Sequence, residues 1–232
     1  MDAKAMGVTV VVAALTSVAT VFATLALRPA APADFRGYLM QHPEVIPEAM
    51  QAMESRNSAK AVGANRTAIL TPVGDAMLGN PQGDVTLVEY FDYNCGYCRA
   101  SLPNIAALVK ADPKVRVVFR ELPVLSRSSY DAAKVSYAAA VQGKFGRFHE
   151  ALYAKGPVSP ETIAATAREA GVDLAAAKRQ GAAADAEIKR NFEVARSLGM
   201  TGTPSWVIGD RVVSGALPLD ELRKLVAEAR AR

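Results

Sequence analysis

Two cysteines are the entire thiol content of the chain, and they stand three positions apart, as Cys95-Gly96-Tyr97-Cys98. Thiol–disulfide exchange proceeds when a thiolate attacks a disulfide sulfur and passes through a mixed disulfide. A free cysteine has a pKa of about 8.5 and is mostly unreactive at neutral pH, so the attacking member of a pair needs help. Asn94 is suited to cap a helix opening at Cys95. At such a start, the positive end of the macrodipole and unpaired backbone N–H groups favour a thiolate. Two intervening residues then place Cys98 one turn along, in reach of a mixed disulfide on Cys95. The reading is Cys95 as nucleophile and Cys98 as resolving thiol, with Gly96 and Tyr97 tuning them.

Other uses of the pair fit less well. Two cysteines cannot supply a four-thiolate zinc site, and His42 and His149 lie far away in sequence. One tight ring is no disulfide scaffold. No metal and no cofactor beyond the redox-active Cys95–Cys98 disulfide is expected. A second class of function is Cu(I) handling, since soft thiolates suit that ion. Against a dedicated carrier, Met40, Met50 and Met53 are the only local group among seven methionines, and no His-rich tract exists.

The elements that must hold the pair are legible around it. With 50% hydrophobic and 22% charged residues in 232, the chain is neither disordered nor fibrous. Only 6% is aromatic and alanine is plentiful, which favours helix over an all-β sandwich. The net charge of +4 comes from 27 basic and 23 acidic residues spread along the chain, so no nucleic acid partner is expected. Val85–Phe91 (VTLVEYF) reads as a strand buried on both faces. Cys98, Leu102, Ile105 and Val109 line one face of the following helix, which Pro103 should kink. Val115–Leu122 is a second strand. Alanine-rich helices are expected at Asp131–Gln142, Lys144–Lys155, Pro160–Ala170, Leu174–Gly181 and Asp185–Leu198. A hairpin, Ser205–Ile208 and Arg211–Val213 about Gly209-Asp210, precedes a helix over Pro218–Arg230.

The amino-terminal part is different in kind. Residues 6–27 carry no charge and as a helix span roughly 33 Å, enough for a bilayer core. Ala31-Pro32-Ala33 offers a signal-peptide cleavage site, but the apolar run exceeds a signal core, which favours a retained anchor. Either way residues 1–33 place the cysteines outside the cytoplasm, where disulfides persist. Residues 34–62 follow as a helical segment, with one or two short polar helices in 34–60 that Pro43 and Pro47 break. Residues 63–83 read as a Gly/Pro-rich linker, and the folded domain is expected from Asp84 to 232.

Phe91 to Arg99, a helical insertion, and Thr201-Gly202-Thr203-Pro204-Ser205 together resemble the DsbA-type thiol–disulfide oxidoreductases over residues 84–232. Glu121-Leu122-Pro123 and Lys144–Glu150 fit the same family, and the segment at 34–60 resembles its suppressor-of-copper-sensitivity (ScsC) subgroup. The resemblance implies an α/β, thioredoxin-like fold with an inserted α-helical domain at about 126–198. It implies a cis Thr203–Pro204 bond presenting the Thr203 backbone to an extended substrate. Glu89 matches the family's buried acid, able to take and return a proton, although a surface-facing strand glutamate is the alternative. Gly96-Tyr97 departs from the Pro-His of strongly oxidising members. His149 and Trp206 are read as packing residues and Arg99 as solvated. Implied partners are cysteine-containing exported proteins, a membrane redox protein that resets the thiols, and further copies of the chain through 34–60. The expected location is the periplasm, and the direction of exchange (oxidase, isomerase or reductase) stays open.

Overall fold

The structure is a computed structural model describing residues 34–231; the anchor or signal expected at 6–27 lies outside the described residues. Among the described residues no helix is long and apolar enough to cross a membrane. They fall into two units that divide at Ala52/Met53. The first holds α1 (Phe35–Gln41), capped by Asp34, whose carboxylate accepts the Gly37 N–H at 2.7 Å. It also holds the start of α2 (Val45–Ala64), with Pro47 in the first turn, where a missing N–H costs no hydrogen bond. Phe35, Tyr38, Met40, Ile46 and Met50 are all exposed.

The second unit is built on a five-stranded sheet. After α3 (Arg66–Leu70), its elements are β1 (Met77–Gly79), β2 (Val85–Phe91), α4 (Gly96–Ala111) and β3 (Val115–Glu121). Five helices follow: α5 (Arg127–Val141), α6 (Phe145–Lys155), α7 (Pro160–Ala170), α8 (Leu174–Arg179) and α9 (Gly181–Ser197). The chain ends with β4 (Ser205–Ile208), β5 (Arg211–Ser214) and α10 (Leu219–Arg230). Strand order is β1-β3-β2-β4-β5, with β2 and β3 parallel and the other pairs antiparallel. β2–α4–β3 is therefore a β-α-β unit, and the insertion occupies the long connection from β3 to β4.

Period two sorts the central strands onto two cores. Leu87, Phe91, Val115, Val117, Phe119, Trp206 and Ile208 pack with α4, α10 and the insertion. Val88, Tyr90, Val118 and Val207 face the other side, with Val62, Ile69, Val194 and Leu198.

Residues 63–83 depart from the expected linker. α2 runs to Ala64, α3 follows, and β1 adds an edge strand with Met77 opposite Val118. Ile69 is fully buried. Three residues of strand and five of helix are too short for periodicity to register, and the surrounding Gly, Pro and Asn hid them. The organised unit thus begins well before Asp84. In the insertion, α5 starts at Arg127 rather than Asp131, because Ser126 caps it by accepting the Ser129 N–H at 3.0 Å.

Candidate active site

The thiol pair sits where β2 ends and α4 begins. Asn94 is not the cap. Its side-chain amide lies 2.9 to 3.0 Å from the hydroxyls of Ser126, Ser128 and Ser129 and donates to them. Cys95 itself is the N-cap, its Sγ accepting the Cys98 N–H at 3.3 Å. That N–H and the amino end of α4 both face the sulfur. The thiol also donates to the Thr203 carbonyl at 3.2 Å, and the Thr203–Pro204 bond is cis. Both cysteines are unbridged thiols. Gly96 and Tyr97 project outward between them, Tyr97 with 69% of its surface exposed.

Both cysteines are buried, Cys95 at 5% exposed and Cys98 at 1%, but only Cys98 turns to the inner face of α4, where burial pushes its thiol up, with the Glu89 carboxylate adding to the rise. Glu89 is 1% exposed on β2 and its Oε1 has no hydrogen-bond partner. Burial raises the Glu89 carboxyl well above its ordinary range, and the charge on Cys95 raises it further. A neutral carboxyl near a neutral thiol is a proton store, since burial opposes the ionisation of both. The surface alternative for Glu89 does not hold in the structure.

The approach to Cys95 is bolted to the insertion. The Asp92 carboxylate accepts the Asn94 N–H at 2.7 Å and the Leu125 N–H at 2.9 Å. Tyr153 Oη donates to the Asp92 carbonyl at 2.9 Å, and Tyr93 Oη lies 2.8 Å from Ser136 Oγ and 3.1 Å from His149 Nδ1. His149 is packed among Phe91, Phe119 and Phe145, and burial lowers it to about 3, so the ring stays neutral. Trp206 is fully buried. Arg99 is exposed, with one 3.3 Å contact to the Gly156 carbonyl.

Three buried charged residues escaped the sequence reading. Glu121 is raised by burial, which Ser136 partly offsets. Arg120 and Glu187 form an ion pair at 2.6 Å with both side chains almost wholly buried. The signal for two of them was present: Arg120 and Glu121 interrupt the apolar run VRVVFREL as Glu89 interrupts VTLVEYF. Glu187, in a helix with many charges, carried none.

Comparison with known proteins agrees with this geometry. A thioredoxin-like oxidoreductase from Silicibacter pomeroyi is 40% identical with a TM-score of 0.68, covering 72% of this chain and 99% of that one. A linker-deleted Proteus mirabilis ScsC is 25% identical at TM-score 0.70, covering 88% and 99%. The thiol-disulfide exchange protein alpha-DsbA2 from Wolbachia pipientis is 28% identical at 0.69, covering 75% and 96%. The chain spans about a quarter of the length of the curated relatives it matches; Na(+)/H(+) antiporter NhaA 1 of Salinispora arenicola is 30% identical over 168 residues, 69% of this chain and 25% of that protein. Residues 35–60 match the copper resistance protein ScsC N-terminal domain. Residues 86–227 match the DSBA-like thioredoxin domain, so the chain belongs to that family of thiol–disulfide oxidoreductases.

Proposed function

We propose that the protein exchanges thiols and disulfides in exported proteins, using Cys95 as nucleophile, Cys98 as resolving thiol and Glu89 as proton acceptor and donor. The observation that carries this is the asymmetry of the pair: Cys95 Sγ at a helix start against the Thr203 carbonyl, Cys98 buried with Glu89. In the reducing direction the Cys95 thiolate attacks a substrate disulfide, forming a mixed disulfide and expelling one substrate thiolate. Glu89 gives its proton to the expelled substrate thiolate, and the carboxylate so formed takes the Cys98 proton as Cys98 attacks Cys95 Sγ, which releases the second substrate thiolate and leaves the enzyme disulfide with Glu89 neutral again. Oxidation of a substrate dithiol is the reverse, with Glu89 protonating Cys98 as it leaves. Thr203 and Pro204 offer the extended backbone of the substrate a partner strand, and a membrane redox protein resets the cycle. Residues 6–27 carry the catalytic unit into the periplasm and hold it at the membrane; a soluble form beginning at Asp34 would refute the anchor.

The same reading assigns residues 34–60 to self-association. Short helices with exposed Phe35, Met40, Ile46 and Met50 are marginal alone and need a cover. Several catalytic sites held together suit isomerisation, because a wrongly paired disulfide is attacked again before release. A soluble form of residues 34–232 is expected to be oligomeric and to repair a scrambled substrate. Removing 34–60 should give a monomer that oxidises or reduces dithiols and has lost most isomerase activity. Sedimentation paired with that assay tests it; residues 34–232 running as a monomer across micromolar concentrations would make a monomeric oxidase the better reading.

The match of 35–60 to a copper resistance protein favours one second reading, Cu(I) held by the same two thiols. Competition with a Cu(I) chelator separates the two, since a carrier loses binding in Cys98→Ala and needs no exchange activity.

A further inference from the structure

The two steps of exchange ask different things of the fold. When Cys95 attacks, the substrate arrives from solution and docks to wherever the sulfur stands. When Cys98 attacks, both sulfurs of the new bond belong to the protein, so its own geometry sets the rate. Ring closure needs the two Cβ atoms about 4 Å apart, and a misplacement of about 1 Å can cost on the order of a hundredfold. Cys98 is placed by α4, on whose buried face it lies. Cys95 stands at the cap, outside the helix, and depends on the turn from Asp92 that leads into it.

Asp92 holds that turn from within and from outside. Within it, the Asp92 carbonyl accepts the Cys95 N–H at 3.0 Å and the carboxylate Oδ1 accepts the Asn94 N–H at 2.7 Å. From outside, Oδ2 accepts the Leu125 N–H at 2.9 Å, in the connection between β3 and α5, and the carbonyl accepts the Tyr153 hydroxyl at 2.9 Å, from α6. Asp92 is 1% exposed and Tyr153 3%, so water does not compete for these bonds. Asparagine or serine would close the inner turn without burying a charge. Only a carboxylate brings two equivalent acceptor oxygens, one for the turn and one for the neighbouring connection. The same residue reaches the second thiol. Against burial and Glu89, which push Cys98 up, a hydrogen bond from the Asp92 backbone draws it down.

We propose, resting on the roles given above to Cys95 and Cys98, that Asp92 is a positioning residue for ring closure, supported by Tyr153. Together they hold the Cys95 turn where Cys98 can reach it. In that closure the Cys98 thiolate, its proton taken by the Glu89 carboxylate, bonds to Cys95 Sγ. The Cys95–substrate S–S bond breaks and the substrate sulfur leaves as a thiolate. Both side chains act through the backbone of the turn.

The test adds oxidised glutathione to the reduced full chain, quenches with acid at intervals and counts the glutathione-bearing intermediate by mass spectrometry, per folded molecule. Asp92→Asn keeps one acceptor oxygen and sets an amide N–H against the other backbone donor. It should form the intermediate at a rate within about twofold of the unaltered chain and resolve it about tenfold more slowly. Tyr153→Phe removes one hydrogen bond, keeps the ring and should slow resolution about threefold. Should Asp92→Asn not fold, Tyr153→Phe decides alone. Parallel slowing of both steps would show a general loosening and overturn the positioning role, as would an unchanged lifetime of the intermediate on Cys95. Glutathione found on Cys98 would instead overturn the division of labour between the thiols, and the positioning role with it.

Discussion

Two buried charges on neighbouring strands are treated in opposite ways. Arg120, on the face of β3 that carries Val118, is fully partnered: it pairs with Glu187 and donates to the carbonyls of Ala68, Ile69 and Thr71. Glu89, on the opposite face of β2, has an oxygen with no partner and a neighbouring thiol that resists ionisation. A buried charge with every donor satisfied contributes shape, because no state of lower energy is open to it. A buried acid left short of partners keeps its proton, and a proton held beside a sulfur is chemistry. The arginine clamps α3 to β3; the glutamate waits for Cys98.

Replacing Arg120 tests the first half. Arg120→Met strands three carbonyl acceptors and leaves Glu187 with Arg190 alone, at 2.6 Å. The expected loss is about 3–5 kcal/mol, read as a shift in denaturant midpoint, with exchange per folded molecule unchanged. A variant of unaltered stability would show that the clamp holds nothing.

Glu89→Gln should do the reverse. Losing the proton acceptor should slow exchange by a factor on the order of 10² in stopped-flow measurements. Stability should rise at neutral pH. A carboxyl whose folded pKa lies well above 4.5 costs stability as pH climbs from about 4.5, where the unfolded chain ionises and the folded one does not. The gain in the variant should therefore vanish below about pH 4.5. An equal exchange rate would mean that Cys98 loses its proton by another path.

His149 gives the smallest effect and the opposite slope. Its folded pKa of about 3 lies below its ordinary 6.5, so stability is full above 6.5 and is lost as pH falls toward 3. His149→Gln should flatten that limb in pH-dependent denaturation without moving the exchange rate at pH 7. Retention of the limb would assign acid sensitivity to other groups.

Much of this was legible in the residues. Cys95, Cys98, Glu89, Thr203 and Pro204 converge, and the β2–α4–β3 unit lies where the apolar runs and the helical spacing placed it. What failed did so for local reasons. The cap fell to Cys95 because three serines from a distant stretch occupy the Asn94 amide, a contact no window of sequence contains. The segment 63–83 looked like a linker because its order comes from Arg120 and β3, fifty residues away in chain, rather than from its own pattern. The Arg120–Glu187 pair joins a strand to a helix across the insertion, and only the fold reveals it.

The mechanism stands on the inequality of the two thiols, and alkylation of the reduced protein at pH 7 measures that directly. With limiting iodoacetamide and peptide mass spectrometry, label should collect on Cys95, while Cys98 stays unmodified until the chain is unfolded. The Cys98→Ala variant should then trap substrate through Cys95 as a stable mixed disulfide. Label appearing first on Cys98, or equally on both, would contradict the division of labour and with it the role given to Glu89.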